Sequence, residues 1–239
     1  MKLQAFTENS KTILSVDFDR RNTCIQMCSY CYVDNMERRY LSYLNKIKRN
    51  NSWAVDNPEN FARQLDNEYS KCRSSKSKKY KGLEKLPVRI YGSGDYITKH
   101  YEFLNRVNFK FYIISKNLTE ASMKDELERV LLLPNCTRVV LSFDNQNVKN
   151  YEHVKHLYGK DGVQFAFTGD KDDWHIQTQY NSRKFGIFFN IGKKKVDVEY
   201  SKTVTASCPA LSKKIGHDKA CSICSKCWKS SKTRGDWNT

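Results

Sequence analysis

The chain has 239 residues and a formal net charge of +16, from 42 basic against 26 acidic side chains. This length is enough for one sizeable hydrophobic core, and no apolar run is long enough to cross a bilayer or to act as a secretory signal. We therefore expect a cytoplasmic protein with no membrane partner, whose positive charge favours polyanions such as DNA or RNA.

Six short apolar runs predict β-strands, and helical patterns separate the first of them. One predicted helix begins after Asn57, which is the N-cap, and another opens at Thr119 with Leu127 on its apolar side. Gly192 is a turn signal, so the last run can instead start a hairpin. The predicted strands span residues 12–18, 87–91, 109–114, 138–143, 163–168 and 185–191.

Strands separated by helical connections predict an α/β fold with a parallel sheet. Such a sheet is either open and doubly wound, with its ligand at a topological switch point, or rolled towards a barrel. Six strands are too few for a complete eight-stranded barrel. In both arrangements, the polar residues that follow the strands gather at one edge of the sheet.

Three cysteines in the pattern C-x3-C-x2-C follow the first predicted strand: Cys24, Cys28 and Cys31. Nine cysteines in a chain expected in the cytoplasm indicate metal or redox chemistry and not disulfides. A structural zinc site needs four ligands, and the first histidine is as far away as His100. A [4Fe-4S] cluster held by three cysteines leaves one iron open for a substrate or cofactor. The missing fourth ligand therefore favours an iron-sulfur cluster.

This motif, with an aromatic residue at Tyr30, resembles the signature of the radical S-adenosylmethionine (SAM) enzymes. The resemblance implies that the three cysteines hold a [4Fe-4S] cluster whose open iron binds SAM, and that Tyr30 lies near the adenine. It also implies an electron donor such as flavodoxin or ferredoxin. Reductive cleavage of SAM would give a 5′-deoxyadenosyl radical, which abstracts hydrogen from the substrate. The implied fold is a partial (β/α)6 TIM-like barrel of mostly parallel strands over residues 1–200.

Residues after the later strands extend the resemblance. The Gly-Ser-Gly-Asp segment after the second predicted strand stands where the superfamily has a glycine-rich motif, usually ending in Glu, whose backbone receives the SAM amino group. Spore photoproduct lyases hold the SAM carboxylate and ribose with a lysine and a serine, and a similar pair follows here. These lyases also have a hydrogen-donating cysteine where this chain has glycine, so their repair step is not implied. The residues assigned to SAM are Tyr30, Gly92, Ser93, Gly94, Asp95, Lys116 and Ser142.

A second cysteine cluster lies in a tail that we assign to residues 201–239. Cys221, Cys224 and Cys227 have ferredoxin-like spacing, with Cys208 as a remote fourth ligand. This favours an auxiliary [4Fe-4S] cluster, and a zinc site is the alternative. Together with the front motif, the tail resembles the phage-borne gene product eighty-eight family, which implies the cytoplasm of a host cell. This resemblance implies no substrate.

A basic stretch at residues 71–85 has seven basic residues against one acidic. It predicts either a phosphate-binding surface with Tyr80 as a stacking aromatic, or a solvated, mobile insertion. The first interpretation makes the substrate a base in DNA or RNA, for modification or repair. One alternative is a radical SAM enzyme that modifies a peptide or protein. The other is a nucleic-acid-binding module that is stabilised by zinc and has no catalytic activity. Asp144, Asp170 and His175 are interpreted as loop residues, and no general acid or base is assigned.

Overall fold

The strands form one sheet whose order follows the sequence. A computed structural model describes residues 3–9, 13–26, 28, 31–169 and 187–190. The first strand is antiparallel to the second, and each later strand is parallel to the one before it. The strands are β1 (Phe6–Asn9), β2 (Ile13–Val16), β3 (Val88–Ile90), β4 (Phe111–Ser115), β5 (Cys136–Phe143), β6 (Val163–Gly169) and β7 (Ile187–Asn190).

Helices connect these strands. Within the described ranges, no helix is both long and apolar enough to cross a membrane. The α-helices are α1 (Arg20–Thr23), α2 (Tyr32–Arg39), α3 (Leu41–Asp56), α4 (Pro58–Arg73), α5 (Tyr101–Leu104), α6 (Lys124–Leu131) and α7 (Tyr151–Val154).

All six predicted strands are confirmed as β2 to β7, with ends within about two residues of those expected. The sequential order contains no reversal, so the described strands do not form a doubly wound sheet with a switch point. Nor does any described pair join β7 to β1, and the sheet is not closed. The alternative hairpin at Gly192 lies outside the described residues.

The helix predicted after Asn57 is confirmed as α4, and the Asn57 side chain accepts a hydrogen bond from the Asn60 backbone at 3.2 Å. The predicted helix start at Thr119 is wrong, because α6 begins five residues later, at Lys124. Two 3₁₀ turns, Asn117–Thr119 and Ala121–Met123, occupy the intervening chain. The Thr119 hydroxyl donates to the Lys116 carbonyl at 2.6 Å and so stabilises a tight turn instead of an α-helical one.

The two faces of the sheet differ in chemistry. Alternate strand residues such as Val16, Ile113 and Leu141 belong to the hydrophobic core that helices α4 and α6 complete. The intervening positions point to the other face, because side chains alternate along a strand. Neighbouring strands there align polar side chains in register: Ser15, Arg89, Tyr112 and Arg138.

Candidate functional site

The three front cysteines lie on the connection that follows β2, at the carboxyl edge of the parallel strands. Cys24 ends α1, Cys31 is the N-cap of α2, and Cys28 lies between them. All three thiols are free and half-buried. This is the edge where parallel α/β proteins place their ligands. Tyr30, predicted to lie near adenine, is outside the described residues.

Asn117, which follows β4, fixes the position of Cys24. Its side-chain amide donates to the Thr23 carbonyl at 2.6 Å and to the Tyr96 carbonyl at 2.8 Å. Its side-chain oxygen accepts from the Ile25 backbone at 3.2 Å. The residues on both sides of Cys24 are thus bonded to one buried asparagine. No pattern in the sequence indicates this role for Asn117.

The glycine-rich segment after β3 packs directly against the chain that leaves β2. The Ser93 backbone donates to the Asp17 carboxylate at 3.1 Å, and the Ser93 hydroxyl donates to the Phe18 carbonyl at 3.0 Å. A Cβ atom at Gly92 would lie 2.0 Å from an Asp17 oxygen, so only glycine allows this approach. The segment therefore lies beside the start of the cysteine loop, residues 24–31.

Asp95 organises the ends of two strands. Its carboxylate accepts hydrogen bonds from the Ser115 hydroxyl at 2.5 Å and from the backbones of Tyr96, Lys116 and Asn117 at 2.7, 2.9 and 3.3 Å. Burial raises the pKa of Asp95 to about 6, although these four donors act in the opposite direction. Because both carboxylate oxygens accept bonds from the protein, Asp95 is a group that positions the segments after β3 and β4.

Lys116 joins the cysteine loop to the segment after β5. Its ammonium donates to the Cys28 sulfur at 2.9 Å and forms an ion pair with Asp144. The Lys116 side chain is 14% exposed and that of Asp144 only 2%. Burial lowers the pKa of Lys116. The attraction to Asp144 and the hydrogen bonds to Asp144 and Cys28 together outweigh this effect, so the pKa is raised overall. Lys116 therefore stays charged beside the Cys28 thiol.

Asp144 is a loop residue, as predicted, but a buried and tightly held one. Its second oxygen accepts from the backbones of Gln146 and Asn147 at 2.9 and 3.2 Å. The Cys28 thiol lies 3.8 Å from the oxygen that faces Lys116. No local sequence pattern indicates this pairing, because the lysine and the aspartate are 28 residues apart.

The thiols lie close enough to influence one another. Burial raises the pKa of the Cys24 thiol, and the charges of Asp95, Cys31 and Cys28 raise it further. In the part of the chain that the structure describes, no three Cys, His, Asp or Glu side chains are grouped so that they could hold a metal ion. The three sulfurs are therefore neighbours that do not converge on one metal position.

Ser142 lies at the same edge, near the end of β5, one residue beyond the pairing of Ser115 with Leu141. It is buried, and its carbonyl accepts from the Asn147 amide at 3.0 Å. The described SAM-assigned residues thus lie at the same edge of the sheet as the cysteine loop. The predicted site residues outside the described residues are Tyr30, Cys208, Cys221, Cys224 and Cys227, and Asp170 and His175, interpreted as loop residues, also lie there.

A family model, Gene product 88, matches residues 3–230. The chain belongs to the Gene product 88 family. The resemblance to this family is thereby confirmed, and the match covers both cysteine clusters of this Gene product 88 chain. Comparisons with curated proteins and with solved structures give no match.

One part of each interpretation of the basic stretch in this Gene product 88 chain needs correction: the stacking role of Tyr80 and the loose attachment of the insertion. Tyr80 is only 7% exposed, and its hydroxyl donates to Glu8 on β1, so it cannot stack on a nucleic-acid base. The stretch is not a loosely attached insertion either, because Cys72 and Leu83 are buried in the main core with Tyr80. These buried side chains hold the stretch to the fold.

Behind the glycine-rich segment, His100 is buried among aromatic rings. One ring nitrogen forms a hydrogen bond with the Tyr91 hydroxyl at 3.1 Å, and the Phe18 ring lies 4.3 Å away, centroid to centroid. Burial lowers the pKa of His100 to about 3. Tyr91 has a φ of 64°, and this turns the chain sharply at the start of the glycine-rich segment. His100 therefore supports the site from the core side.

His100 makes the stability of the fold depend on pH. The unfolded chain protonates this imidazole below a pH of about 6.5, whereas the folded chain keeps it neutral down to a pH of about 3. Because the unfolded state binds more protons in this range, stability falls as pH falls, by up to about 1.4 kcal/mol per pH unit. We expect His100→Gln to remove this part of the slope in urea unfolding measured from pH 7 to pH 4.

The difference in slope between His100→Gln and the wild type isolates the contribution of His100 to the pH dependence of stability. Asp95, whose pKa is raised to about 6, has the opposite effect on stability at pH values between about 4 and 6, and it is present in both proteins. The exposed His153 on α7 supplies the control substitution, His153→Gln, which removes a histidine outside the buried aromatic cluster. Equal slopes in the wild type and His100→Gln would contradict the prediction.

Proposed function

We propose that this Gene product 88 protein is a radical SAM enzyme that abstracts hydrogen from its substrate. The observation that carries the proposal is the placement of the three half-buried front thiols at the carboxyl edge of a parallel sheet, with the Lys116 ammonium 2.9 Å from the Cys28 sulfur. Soft thiolate ligands in a C-x3-C-x2-C pattern suit an iron-sulfur cluster with one open iron.

The residues present fit such a cluster in number and type. Cys24, Cys28 and Cys31 would hold it, and Asn117 would keep the Cys24 end of the loop in place. When bound, the cluster supplies the electron that cleaves SAM to methionine and a 5′-deoxyadenosyl radical, which takes a hydrogen atom from the substrate. Lys116 contributes a positive charge that offsets the negative charge of thiolates and of the SAM carboxylate.

The glycine-rich segment would bind SAM, and Ser142 lies at the same carboxyl edge of the sheet. Asp95 would act indirectly, by holding this segment and Lys116 in register. The sequential parallel order of β2 to β7 supports a partial (β/α)6 barrel as the scaffold. Beyond it, the proposal assigns the tail cysteines 208, 221, 224 and 227 to a second [4Fe-4S] cluster or a zinc ion.

The first substrate class to test is a nucleic-acid base. The net charge of +16 supports it, because a strongly basic protein attracts polyanions. The reaction would be modification or repair, and a base inside a duplex would have to be flipped out to reach the radical. The loss of Tyr80 as a stacking residue removes one argument for base contact and leaves the charge argument in place.

The test is reductive cleavage of SAM. The protein is reconstituted anaerobically with iron and sulfide, given dithionite and SAM, and assayed for 5′-deoxyadenosine beside a Cys31→Ala variant. We expect product from the wild type, and a loss of at least 100-fold in the variant, because a cluster missing one of three ligands is not retained in its SAM-binding form. The same assay is repeated with single-stranded DNA and RNA to detect stimulation by substrate.

Two results of this experiment would contradict the proposal. If iron uptake is the same in wild type and Cys31→Ala, and SAM leaves the electron paramagnetic resonance spectrum of the reduced protein unchanged, the front cysteines serve another purpose and the proposal falls. A colourless protein that holds zinc and no iron would also overturn the proposal.

A further inference from the structure

The basic stretch, residues 71–85, is called the basic segment from here on. It contains a dense group of exposed cations. One exposed carboxylate, Glu84, accompanies them. None of these cations forms an ion pair with a described carboxylate, whereas on α6 the Arg129 side chain pairs with Glu126 at 2.6 Å. The exposed cations are Lys71, Arg73, Lys76, Lys78, Lys81 and Lys85.

The basic segment is fixed to the fold by buried side chains between its cations. Cys72, on the last turn of α4, is fully buried, and Leu83 is nearly so. The Tyr80 hydroxyl donates to Glu8, 72 residues away on β1. Two 3₁₀ turns, Lys78–Tyr80 and Leu83–Lys85, carry the chain between these anchors. The charges are therefore displayed on a defined backbone, which lowers the entropy cost of binding a partner.

The basic segment lies at the opposite edge of the sheet from the cysteine loop. It begins in the last turn of α4 and ends three residues before β3 starts at Val88, so it is near the amino ends of the parallel strands. The five residues of β4 alone place the two edges roughly 15–20 Å apart. A partner held by this segment is therefore not held by the residues around Cys28.

We propose that the basic segment is a docking surface for the phosphate backbone of nucleic acid. Uncompensated cations in close sequence attract polyanions and release counterions when phosphates replace them. No large apolar side chain of the segment is exposed, since Cys72, Tyr80 and Leu83 are buried. A protein interface has an apolar centre and a membrane-binding surface has apolar anchors, so phosphate is the partner that this surface fits.

Binding here tethers the chain without reading sequence, because phosphate contacts position a protein and base contacts specify the site. The surface is separate from the cysteine loop and requires neither cluster nor SAM. It is therefore tested on the purified chain without reconstitution, and its outcome does not depend on the outcome of the SAM-cleavage assay.

The experiment measures fluorescence anisotropy of a labelled 20-base-pair duplex of mixed sequence over a salt series. A triple variant of the basic segment, Lys76→Gln, Lys78→Gln and Lys81→Gln, is compared with the wild type. Its control carries the same loss of charge on three exposed lysines that follow the carboxyl ends of strands β3, β4 and β5. The control substitutions are Lys99→Gln, Lys124→Gln and Lys149→Gln. Poly-glutamate is tested as a competing polyanion.

We expect the slope of log K against log salt to fall by about two to three in the basic-segment variant, at about 0.9 for each phosphate that the variant no longer neutralises. The control should keep the wild-type slope. Equal reductions in both variants would show that net charge alone acts, and this overturns the docking surface. So would undetectable binding of the wild type at 50 mM salt. Competition by poly-glutamate as strong as that of unlabelled duplex would assign the surface to an acidic protein instead.

Discussion

Gly94→Ala is expected to destabilise the fold by about 2 kcal/mol more than Gly82→Ala. Both glycines have a positive φ, 74° and 81°, so both substitutions introduce similar backbone strain, about 1 kcal/mol. The two positions differ in the space that is available for an added Cβ atom. A Cβ atom at Gly94 would lie 2.7 Å from the Thr23 hydroxyl and 2.9 Å from the Phe18 carbonyl, whereas at Gly82 it meets nothing within 4 Å. The excess cost is that of overpacking a buried site.

The Gly94 substitution should also disturb the cysteine loop. Thr23 directly precedes Cys24, and its hydroxyl accepts from the Asp95 backbone at 3.0 Å. Pushing Thr23 away breaks this bond and moves the first cysteine. We therefore expect Gly94→Ala to retain less iron after reconstitution than wild type, and Gly82→Ala to retain the wild-type amount. Urea unfolding and iron content provide the two measurements, and equal values for the two variants would contradict the argument.

The sequence predicted those parts of the fold whose secondary structure follows from the spacing of apolar residues. Strands β2 to β7 are short apolar runs between polar segments, and the α4 helix has an asparagine cap and a periodic apolar side. Strand β1 went unpredicted because three of the four residues in its sequence, Phe-Thr-Glu-Asn, are polar, as an edge strand allows. Helix α3 was also missed, since only three of its 16 residues, Ile47, Asn50 and Ala54, are buried, and one of these is polar.

The candidate site divides in a similar way. The spacing of the three front cysteines is local, so the sequence alone locates them. The contacts that hold them are not local, since Asn117 bonds to Ile25 across 92 residues and Lys116 reaches Cys28 across 88. Lys116 was assigned only through a family resemblance, and Asn117 was not assigned at all. Such contacts depend on which strand ends become neighbours, which is a property of the sheet order.

Lys116 and Asp144 are expected to shift the reduction potential of the proposed front cluster in opposite directions. The reduced cluster carries one more negative charge than the oxidised one, so a nearby cation favours reduction and a nearby anion opposes it. Lys116 donates to the Cys28 sulfur, and the facing Asp144 oxygen is 3.8 Å from the same sulfur. Lys116→Gln should therefore make the potential more negative, and Asp144→Asn should make it less negative.

The magnitude follows from Coulomb's law. A unit charge about 6 Å from the cluster, at an effective dielectric constant of about 20, is worth roughly 3 kcal/mol, which corresponds to a shift on the order of 100 mV. The double variant, Lys116→Gln with Asp144→Asn, replaces a neutral ion pair by a neutral amide pair. Its potential should therefore lie close to that of the wild type, although both single changes move it.

Potentiometric titration followed by electron paramagnetic resonance of the reduced protein measures all four potentials. Opposite shifts separate an electrostatic role from a structural one, because a substitution that merely loosens the site would move both single variants in the same direction. Shifts of one sign, or a double variant farther from wild type than either single variant, would show that the pair acts by holding the loop. If the shifts are opposite and cancel, Asp144 sets how strongly the Lys116 charge acts on the cysteine loop.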